Sequence, residues 1–294
     1  MMGKDIPDLQ IERQRWAEYA DVATTHSVEV HGVRIGGSTP IIIAGPCAVE
    51  SFDQTLSIAR AVRDAGGHLL RGGAYKPRTS PHSFQGLGLE ALRILAEIRR
   101  LTGLGIVTEV MDPRLVGQVS EHVDMLQIGS RSMQNFPLLT EVGRADRPVL
   151  LKRGWGATLE EWLCAAEYIA RQGNIEIILC ERGIRTPVNA GYARSILDLN
   201  IIEPLRRRTP LPVIADPSHA TGRWTLVESM SRAALAAGAH GLLIEAVQEG
   251  VDRSTLRSDA EQGIPPRILA AITQAARAGR VPALRDHTAL TPSA

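Results

Sequence analysis

Residues 40–47 have the sequence PIIIAGPC, an apolar and mostly β-branched run that ends abruptly in glycine, proline and cysteine. A short run of this kind is typical of a buried strand in a parallel sheet, whose two faces are both covered. Seven similar runs recur along the chain, so the sequence predicts eight strands. The predicted strands are residues 40–44 (PIIIA), 68–71 (HLLR), 105–110 (GIVTEV), 124–128 (DMLQI), 148–152 (PVLLK), 175–180 (IEIILC), 212–215 (PVIA) and 240–245 (HGLLIE).

Segments with helical periodicity separate the predicted strands. Their apolar residues recur at spacings of three and four, and glycine follows closely. Four examples are residues 51–65, 89–101, 158–171 and 225–237. Eight strands that alternate with helices predict an α/β protein built as a (β/α)8 TIM barrel.

The sequence on either side of the barrel predicts an extension and a tail. Residues 8–24 have an amphipathic pattern, and residues 27–37 (SVEVHGVRIGG) alternate around a His-Gly pair like a small hairpin. We expect the hairpin to close the N-terminal end of the barrel. The predicted segments are an N-terminal helix and hairpin at residues 1–38, a catalytic barrel at residues 39–280 and a C-terminal tail at residues 281–294.

The composition is that of a globular protein. Among 294 residues, 44% are hydrophobic and 22% are charged, which excludes a disordered or fibrous chain. The 33 basic and 32 acidic residues leave a net charge of +1, too weak to attract nucleic acid. No apolar run approaches the roughly 20 residues of a membrane helix, and the polar N-terminus lacks a secretory signal. We therefore expect a cytoplasmic protein that contacts neither nucleic acid nor membrane.

The C-terminal ends of the predicted strands are polar. In a (β/α)8 barrel these ends meet at one mouth, where the loops carry the chemistry. A protein without a ligand has no reason to gather ions that repel one another and lose hydration, so we expect an active site there. The segments at the mouth are residues 45–47 (GPC), 71–80 (RGGAYKPRTS), Glu109, residues 129–131 (GSR), 152–154 (KRG), 181–185 (ERGIR), 216–219 (DPSH) and Glu245.

Cations at the mouth indicate negatively charged ligands. With the hydroxyls of Thr79 and Ser80 and the N–H groups of nearby glycines, they suffice for two separate phosphate sites. The alternative is that they are solvated surface charges. Their shared place at strand ends beside glycine favours two phosphorylated substrates, or one substrate with two anionic groups. These cations are Lys76, Arg78, Arg131, Lys152, Arg182 and Arg185.

Four side chains at the mouth are candidate ligands of a divalent metal ion. Cys47, His219, Glu245 and Asp259 offer one sulfur, one nitrogen and two carboxylate groups, which suit Mn2+, Fe2+, Zn2+ or Co2+. They are far apart in the sequence, so no short motif supports them. A single histidine is more often a core residue than a ligand, and the position of His219 at the mouth beside Cys47 and Glu245 makes the two alternatives about equal. Cys164 and Cys180 occur inside a helix and a strand and are predicted to be small buried hydrophobic residues.

Long segments of this chain resemble the 3-deoxy-D-arabino-heptulosonate 7-phosphate (DAHP) synthases, in the short type I beta form that is similar to the sialic-acid and octulosonate-phosphate synthases. The resemblance extends from about residue 28 to about residue 260, nearly the whole barrel. It is carried by IIIAGPCAVES (41–51), LLRGGAYKPRTSPHSFQGLG (69–88), VTEVMD (107–112), LQIGSRSMQN (126–135), LLKRG (150–154), EEWLCAAEYI (160–169), GNIEIILCERGIRT (173–186) and LPVIADPSHATGRW (211–224).

The resemblance implies a metal-dependent transferase that condenses phosphoenolpyruvate with erythrose 4-phosphate and releases phosphate. This is the first step of the shikimate pathway of aromatic amino acid biosynthesis. The implied catalytic residues are Lys76, Cys47, His219 and Glu109, and Lys76 either binds substrate or moves a proton. The implied metal ligands are Cys47, His219, Glu245 and Asp259. The implied substrate-binding residues are Arg71, Lys76, Arg131, Lys152 and Arg182 for phosphoenolpyruvate, Arg78, Thr79 and Ser80 for the aldose phosphate, and Asp216, which lines the same mouth.

Some segments favour or weaken this substrate assignment. The KPRTS segment at residues 76–80 differs from the Asn-bearing KANRSS-like loop of octulosonate-phosphate synthases, which favours the four-carbon aldose. In contrast, residues 187–199 (PVNAGYARSILDL) replace the FE-TATRNTLDL of the family and are about two residues longer. The Ser-Asp pair at residues 258–259 also lies about three residues further from Glu245 than usual, which leaves Asp252 as an alternative ligand.

Three other functions remain open at this stage. One is condensation of phosphoenolpyruvate with a different aldose or aldehyde in a specialised pathway, and another is a phosphosugar-binding module without catalysis. The third is an aldolase that forms a Schiff base on Lys152. Residues 1–38 are too few for the ferredoxin-like regulatory domain of some relatives, so we expect no feedback inhibition by Phe or Tyr. We expect a homodimer or homotetramer, for which the helix at residues 268–277 is a candidate interface.

Overall fold

The structure, a computed structural model, describes residue 16 and residues 25–186, 191–259 and 261–283. Ten strands lie within these residues, and eight of them form a closed parallel barrel in the order β10-β3-β4-β5-β6-β7-β8-β9. The strands are β1 Val28–Val30, β2 Val33–Ile35, β3 Ile41–Gly45, β4 Leu69–Arg71, β5 Gly105–Glu109, β6 Met125–Ile128, β7 Val149–Lys152, β8 Ile177–Glu181, β9 Val213–Ala215 and β10 Gly241–Glu245. The predicted (β/α)8 TIM barrel is therefore confirmed.

Helices follow the barrel strands on the outside. The described α-helices are α1 Phe52–Asp64, α2 Leu89–Thr102, α3 Val116–Ser120, α4 Phe136–Arg144, α5 Leu159–Ala170, α6 Ile202–Arg208, α7 Pro217–Thr221, α8 Trp224–Ala236 and α9 Pro266–Ala278. The sequence sets their ends through caps: Thr158 accepts a hydrogen bond from the N–H of Glu161, and the Glu161 carboxylate accepts one from the N–H of Thr158, so α5 begins with a capping box. None of the described helices is both long and apolar enough to span a membrane.

The barrel strands alternate between two apolar clusters because successive side chains of a strand point to opposite faces. Along β3, Ile41 and Ile43 belong to the cluster inside the barrel, and Ile42 and Ala44 to the larger cluster between the strands and the helices. The barrel closes where all five residues of β10 pair with β3. Strand β4 can approach β3 closely because a Cβ on Gly45 would lie 2.0 Å from the carbonyl oxygen of Arg71.

The predicted hairpin is also present and lies across the N-terminal end of the barrel. Its strands pair in an antiparallel register around His31 and Gly32, both of which have positive φ. Val28, Val30 and Ile35 are fully buried and belong to the cluster inside the barrel. The hairpin thus seals this end with apolar side chains.

The terminal segments are described only in part. Trp16 is helical and buried, and the rest of the helix predicted at residues 8–24 lies outside the described residues. In the predicted tail, the N–H of Val281 donates to the carbonyl of Ser38 at 2.8 Å, and residues 284–294 lie outside the description. The segment boundaries at residues 38 and 280 remain a prediction.

One of the cysteine predictions is wrong. Cys180 is fully buried inside the barrel, as expected. Cys164 is only half-buried and lines a surface cavity beside Tyr168, because it lies on the outer face of α5. Its neighbours Leu163 and Ala165 occupy the inner face instead.

Candidate active site

A cavity of about 480 Å³ opens at the C-terminal ends of the barrel strands. Seven Lys and Arg side chains line it against two carboxylates, so its field favours anionic ligands. Ten of the predicted site residues form part of its wall: Lys76, Arg78, Thr79, Ser80, Glu109, Arg131, Lys152, Arg182, His219 and Asp259. Three of the other four predicted residues contact this wall from behind, Cys47 through Lys76, Asp216 through Lys152 and Glu245 through His219. The fourth, Arg71, contacts Glu245.

Strand ends position most of the charged side chains. Arg71, Glu109, Lys152 and Glu245 are the last residues of β4, β5, β7 and β10. Asp216 follows β9 directly. The ring of strands therefore brings residues that are up to 174 positions apart into contact, as in the pair of Arg71 and Glu245.

Two buried ion pairs lie behind the cavity. Nη1 of Arg71 lies 2.5 Å from Oε1 of Glu245, and Nζ of Lys152 lies 2.6 Å from Oδ2 of Asp216. Both carboxylates are buried, which by itself raises their pKa values. The pKa of Glu245 is nevertheless lowered by His219, Arg71 and Lys76, and the pKa of Asp216 by His219 and Lys152. Both groups are therefore carboxylates at neutral pH, with their partners already fixed in place.

His219 lies between these two carboxylates on the short helix α7. Asp216 caps that helix, because its Oδ1 accepts a hydrogen bond of 2.9 Å from the N–H of His219. Oδ2 of Asp216 lies 2.7 Å from Nδ1 of the ring, and Nε2 faces Oε1 of Glu245 at 3.2 Å. Burial lowers the pKa of His219, so the ring is neutral, which is the form that binds metals.

Cys47 and Lys76 form a second contact group. Nζ of Lys76 lies 3.1 Å from Sγ of Cys47 and donates to the Cys47 carbonyl at the same distance. On its other side, Sγ lies 3.9 Å from Oδ2 of Asp259. Burial raises the pKa of the Cys47 thiol, and Glu245 adds to that effect. Burial lowers the pKa of Lys76, but the contacts with Cys47 and Glu245 outweigh it and the net shift is upward.

The four candidate metal ligands thus occur as two pairs. Donors that share a metal at bond lengths of 2.0–2.3 Å lie roughly 3–4 Å apart. The pairs His219 with Glu245 and Cys47 with Asp259 meet that distance. Within the described residues, however, no group of three or more Cys, His, Asp or Glu side chains is already arranged around one point. The donor types and paired distances fit a divalent ion, and Lys76 and Arg71 occupy positions beside them.

The alternative ligand Asp252 has a different position. Its Oδ1 accepts hydrogen bonds from the N–H and the hydroxyl of Ser254, so it caps a short 3-10 helix. It is exposed and does not line the cavity. Asp259 lines the cavity instead, between Nη1 of Arg78 at 3.7 Å and Nη1 of Arg194 at 3.9 Å.

Glu109 lines the cavity beneath the loop that follows β6. Its Oε2 accepts a hydrogen bond of 3.1 Å from Nε2 of Gln127. A Cβ on Gly129 would lie 2.0 Å from Oε1 of Glu109, so a larger residue there would displace the carboxylate. The main chain of the Gly129 loop therefore packs directly on the carboxylate.

The structure adds three site residues that the sequence did not indicate. Trp155 and Arg194 line the cavity, and Nε2 of Gln262 donates to Oε2 of Glu245 at 2.6 Å. Trp155 follows the Lys-Arg-Gly segment of a strand end, a position that could have marked it. Arg194 keeps the Arg-x-x-Leu-Asp-Leu spacing of the family within the altered loop. No sequence signal marks Gln262.

A buried network holds the base of the altered loop. Arg153 contacts both Oε2 of Glu181 at 3.1 Å and Oδ2 of Asp198 at 2.8 Å. Oε1 of Glu181 accepts hydrogen bonds from the N–H groups of Gly183 and Asp198. The loop therefore leaves and returns at one fixed carboxylate, although residues 187–190 lie outside the description.

Comparison with known proteins identifies relatives of this chain. A family model described as the DAHP synthetase I family matches residues 12–276. The phospho-2-dehydro-3-deoxyheptonate aldolase of Thermotoga maritima is 48% identical over 218 residues, which are 74% of this chain and 64% of that protein. The chain therefore matches just under two thirds of that relative's length. The 2-dehydro-3-deoxyphosphooctonate aldolase of Syntrophobacter fumaroxidans is 32% identical over 244 residues, covering 77% of this chain and 83% of that protein.

The solved structures that this chain resembles include DAHP synthases. The crystal structure of the DAHP synthase of Thermotoga maritima has a TM-score of 0.80 at 43% identity, covering 86% of this chain and 72% of that one. A truncated form of the 3-deoxy-D-arabino-heptulosonate 7-phosphate synthase of Thermotoga maritima has a TM-score of 0.78 at 39% identity, covering 86% of this chain and 90% of that one.

Proposed function

The chain belongs to the DAHP synthetase I family, and we propose that it condenses phosphoenolpyruvate with erythrose 4-phosphate to give DAHP and phosphate. In this reaction C3 of phosphoenolpyruvate bonds to the aldehyde carbon, and the aldehyde oxygen takes up a proton. Water adds to C2, and the bond between C2 and the phosphate oxygen breaks, which releases phosphate. The protein would catalyse the first step of the shikimate pathway of aromatic amino acid biosynthesis.

The cavity itself is the observation that carries this proposal. Its cations form two groups, one with Lys152 at the end of β7 and Arg131, Arg182 and Arg185 on the loops after β6 and β8, and the other with Arg78 and Arg194 beside Asp259. Lys76 lines the same cavity beside Cys47. Two anionic substrates account for two such groups in one cavity. The condensation also requires both substrates to lie side by side, since holding two reactants together supplies much of the catalysis.

The second substrate follows from the segment at residues 76–80. Arg78, Thr79 and Ser80 line the cavity, as expected of a site for the phosphate of a short aldose. The heptonate aldolase is 48% identical to this chain, against 32% for the octonate aldolase, which favours the four-carbon aldose. A paralogue that uses another aldose or aldehyde is the alternative, motivated by the altered residues 187–199.

We propose that one divalent ion, Mn2+, Fe2+, Zn2+ or Co2+, is held by Cys47, His219, Glu245 and Asp259. The sulfur, nitrogen and carboxylate donors suit these ions, and the neutral ring of His219 is held between two carboxylates. Such an ion would polarise the aldehyde and orient it as a Lewis acid. Cys47 must lose its proton on binding, and Lys76 at 3.1 Å is placed to stabilise the resulting thiolate.

The chain's own groups divide the remaining tasks. Arg71, Lys76, Arg131, Lys152 and Arg182 would bind phosphoenolpyruvate, and Asp216 would fix Lys152 in place through their contact of 2.6 Å. These cations would stabilise the charge on the leaving phosphate. Glu109 and Lys76 both line the cavity and are the candidates for proton transfer. We further propose a cytoplasmic homodimer or homotetramer.

Phosphate release is the test of this function. The protein with added Mn2+ is assayed with phosphoenolpyruvate and, in turn, erythrose 4-phosphate, arabinose 5-phosphate, ribose 5-phosphate and unphosphorylated analogues. We expect turnover with erythrose 4-phosphate alone, its loss with a chelator, and its loss in Cys47→Ala but not in the matched variant Cys164→Ala. Turnover with only another aldehyde would replace the second substrate. No turnover with any aldehyde would contradict the enzymatic proposal and favour a phosphosugar-binding module.

A further inference from the structure

Trp155 lies among three arginines inside the cavity. The distances from its ring centroid to the guanidinium carbons are 4.6 Å for Arg185, 4.8 Å for Arg131 and 5.9 Å for Arg182. All lie within the roughly 6 Å over which a cation is attracted to an indole face. We call these four side chains the Trp155 cluster. They come from three consecutive loops, after β6, β7 and β8, so the cluster exists only in the folded barrel.

The arginines of the Trp155 cluster differ from the buried cations behind the cavity, because Arg182 is buried whereas Arg131 and Arg185 are exposed at the mouth. Arg71, Lys152 and Arg153 each contact a buried carboxylate. Among the described residues, no carboxylate lies within ion-pair distance of Arg131, Arg182 or Arg185. Three like charges that share one small volume repel one another, and the electron-rich ring offsets only part of that repulsion. An anion would supply the rest.

The main chain fixes where the ring can lie. The carbonyl of Trp155 accepts a hydrogen bond of 2.8 Å from the N–H of Arg185, and the N–H of Gly154 contacts Sδ of Met133 at 3.0 Å. Both contacts belong to the backbone of the Trp155 segment, so they persist when its side chain is replaced. A change of the ring should therefore alter the arrangement of the arginines rather than the path of the loop.

We propose that Trp155 is a positioning residue, whose ring gathers Arg131, Arg182 and Arg185 into one site for an anionic group. The identity of that group rests on the proposed function, which makes it the phosphate of phosphoenolpyruvate. Trp155 reaches the substrate through the arginines, so it affects binding more than the chemical step. Without the ring, the guanidinium groups separate, and each must be ordered again when the anion binds.

The chain contains a matched control for this proposal. Trp224 is also half-buried beside an arginine, with the guanidinium carbon of Arg253 at 5.3 Å from its ring centroid. It lies at the start of α8 and lines a different surface cavity. Replacing Trp224 removes a comparable ring and a comparable cation contact outside the Trp155 cluster.

The test is the binding of phosphoenolpyruvate and of inorganic phosphate, measured by calorimetry on the full chain without turnover. We expect the Kd of both to rise about tenfold in Trp155→Leu and roughly twofold to threefold in Trp155→Phe, which keeps a weaker ring. Trp224→Leu should bind like the parent protein. In the steady state, the KM for phosphoenolpyruvate should rise in Trp155→Leu, with a much smaller change in kcat and none in the KM for the aldose phosphate.

The outcomes separate this proposal from the proposed function. Unchanged binding in Trp155→Leu, or equal weakening in Trp224→Leu, would overturn the positioning role. The role would also be overturned if a folded Trp155→Phe protein bound phosphoenolpyruvate as weakly as Trp155→Leu, because an aromatic ring at this position would then not matter. If the parent protein binds phosphoenolpyruvate but releases no phosphate with any aldehyde, the proposed function fails while the binding comparison still decides the role of Trp155.

Discussion

The two ends of the barrel differ in polarity, although each contains a histidine with a lowered pKa. At the C-terminal end, buried ions are paired beneath a cavity rich in cations. At the N-terminal end, Val28, Val30 and Ile35 of the hairpin seal the barrel with apolar contacts. Both ends nevertheless contain a histidine whose pKa is lowered by desolvation, His219 at the mouth and His240 at the sealed end.

The difference lies in what the ring nitrogens face. Nδ1 of His240 accepts a hydrogen bond of 3.1 Å from the N–H of Val213, and Nδ1 of His68 accepts one of 3.0 Å from the N–H of Ile42. Each of these rings thus takes the place of a backbone acceptor where a strand begins. Nε2 of His219 instead faces a carboxylate at the cavity. A neutral histidine therefore has a structural role at the sealed end, whereas at the mouth its ring faces the position of the metal ion that we propose.

Removing the ring at the mouth should have the largest effect. We expect His219→Ala to lower kcat/KM by at least about 1,000-fold, equivalent to about 4 kcal/mol in the barrier, because a metal ligand is lost. The fold should persist, since Asp216 keeps its contact of 2.6 Å with Lys152. The measurement is phosphate release together with Tm. The matched variant His122→Ala, in the turn after α3, should change neither, and more than a tenth of parent activity in His219→Ala would refute the ligand role.

A charge placed at the sealed end should damage stability instead of catalysis. Val30→Asp puts a carboxylate where the parent side chain is 1% exposed and belongs to an apolar cluster. We expect the free energy of unfolding to fall by about 3 kcal/mol or more, while the kcat of the folded fraction stays the same. Urea denaturation measures the first and phosphate release the second. Glu29→Ala, on the exposed face of the same strand, should cost less than about 0.5 kcal/mol; equal losses in both variants would mean that the hairpin does not seal the barrel.

Features of both ends of the barrel could be predicted from the sequence, but the position of Cys164 could not. All eight barrel strands were found because strands buried on both faces carry unbroken apolar runs. Charged residues at the mouth such as Lys152, Asp216 and Glu245 followed because each ends such a run or stands directly after one. The hairpin was found from its alternation. Cys164 was misplaced because it was judged by its residue type, although Glu160, Glu161 and Glu167 around it mark an outer helix face.

Contacts between distant loops were beyond the reach of the sequence. The indole of Trp155 lies beside arginines on the loops after β6 and β8, and no local pattern states which ring they will surround. Gln262 reaches back to Glu245 from a segment without regular structure. Likewise, the four candidate ligands could be proposed from chemistry, but their arrangement as two pairs depends on where Lys76 and Arg71 lie.

The histidine at the sealed end should make stability depend on pH, in a smaller effect than either substitution at neutral pH. Burial, followed by the nearby Arg206, lowers the pKa of His240 from 6.5 to about 4. Between pH 4 and pH 6.5 the unfolded chain binds a proton at His240 that the folded protein excludes. The free energy of unfolding should therefore be highest above pH 6.5 and fall toward pH 4, by up to about 1.4 kcal/mol per pH unit. In His240→Asn, whose side-chain amide does not titrate and can still accept from the N–H of Val213, the curve of unfolding free energy against pH should be flatter in this window. His219 titrates in both proteins and cancels in the difference, so parallel curves would show that His240 is protonated without cost and that the sealed end is open to water.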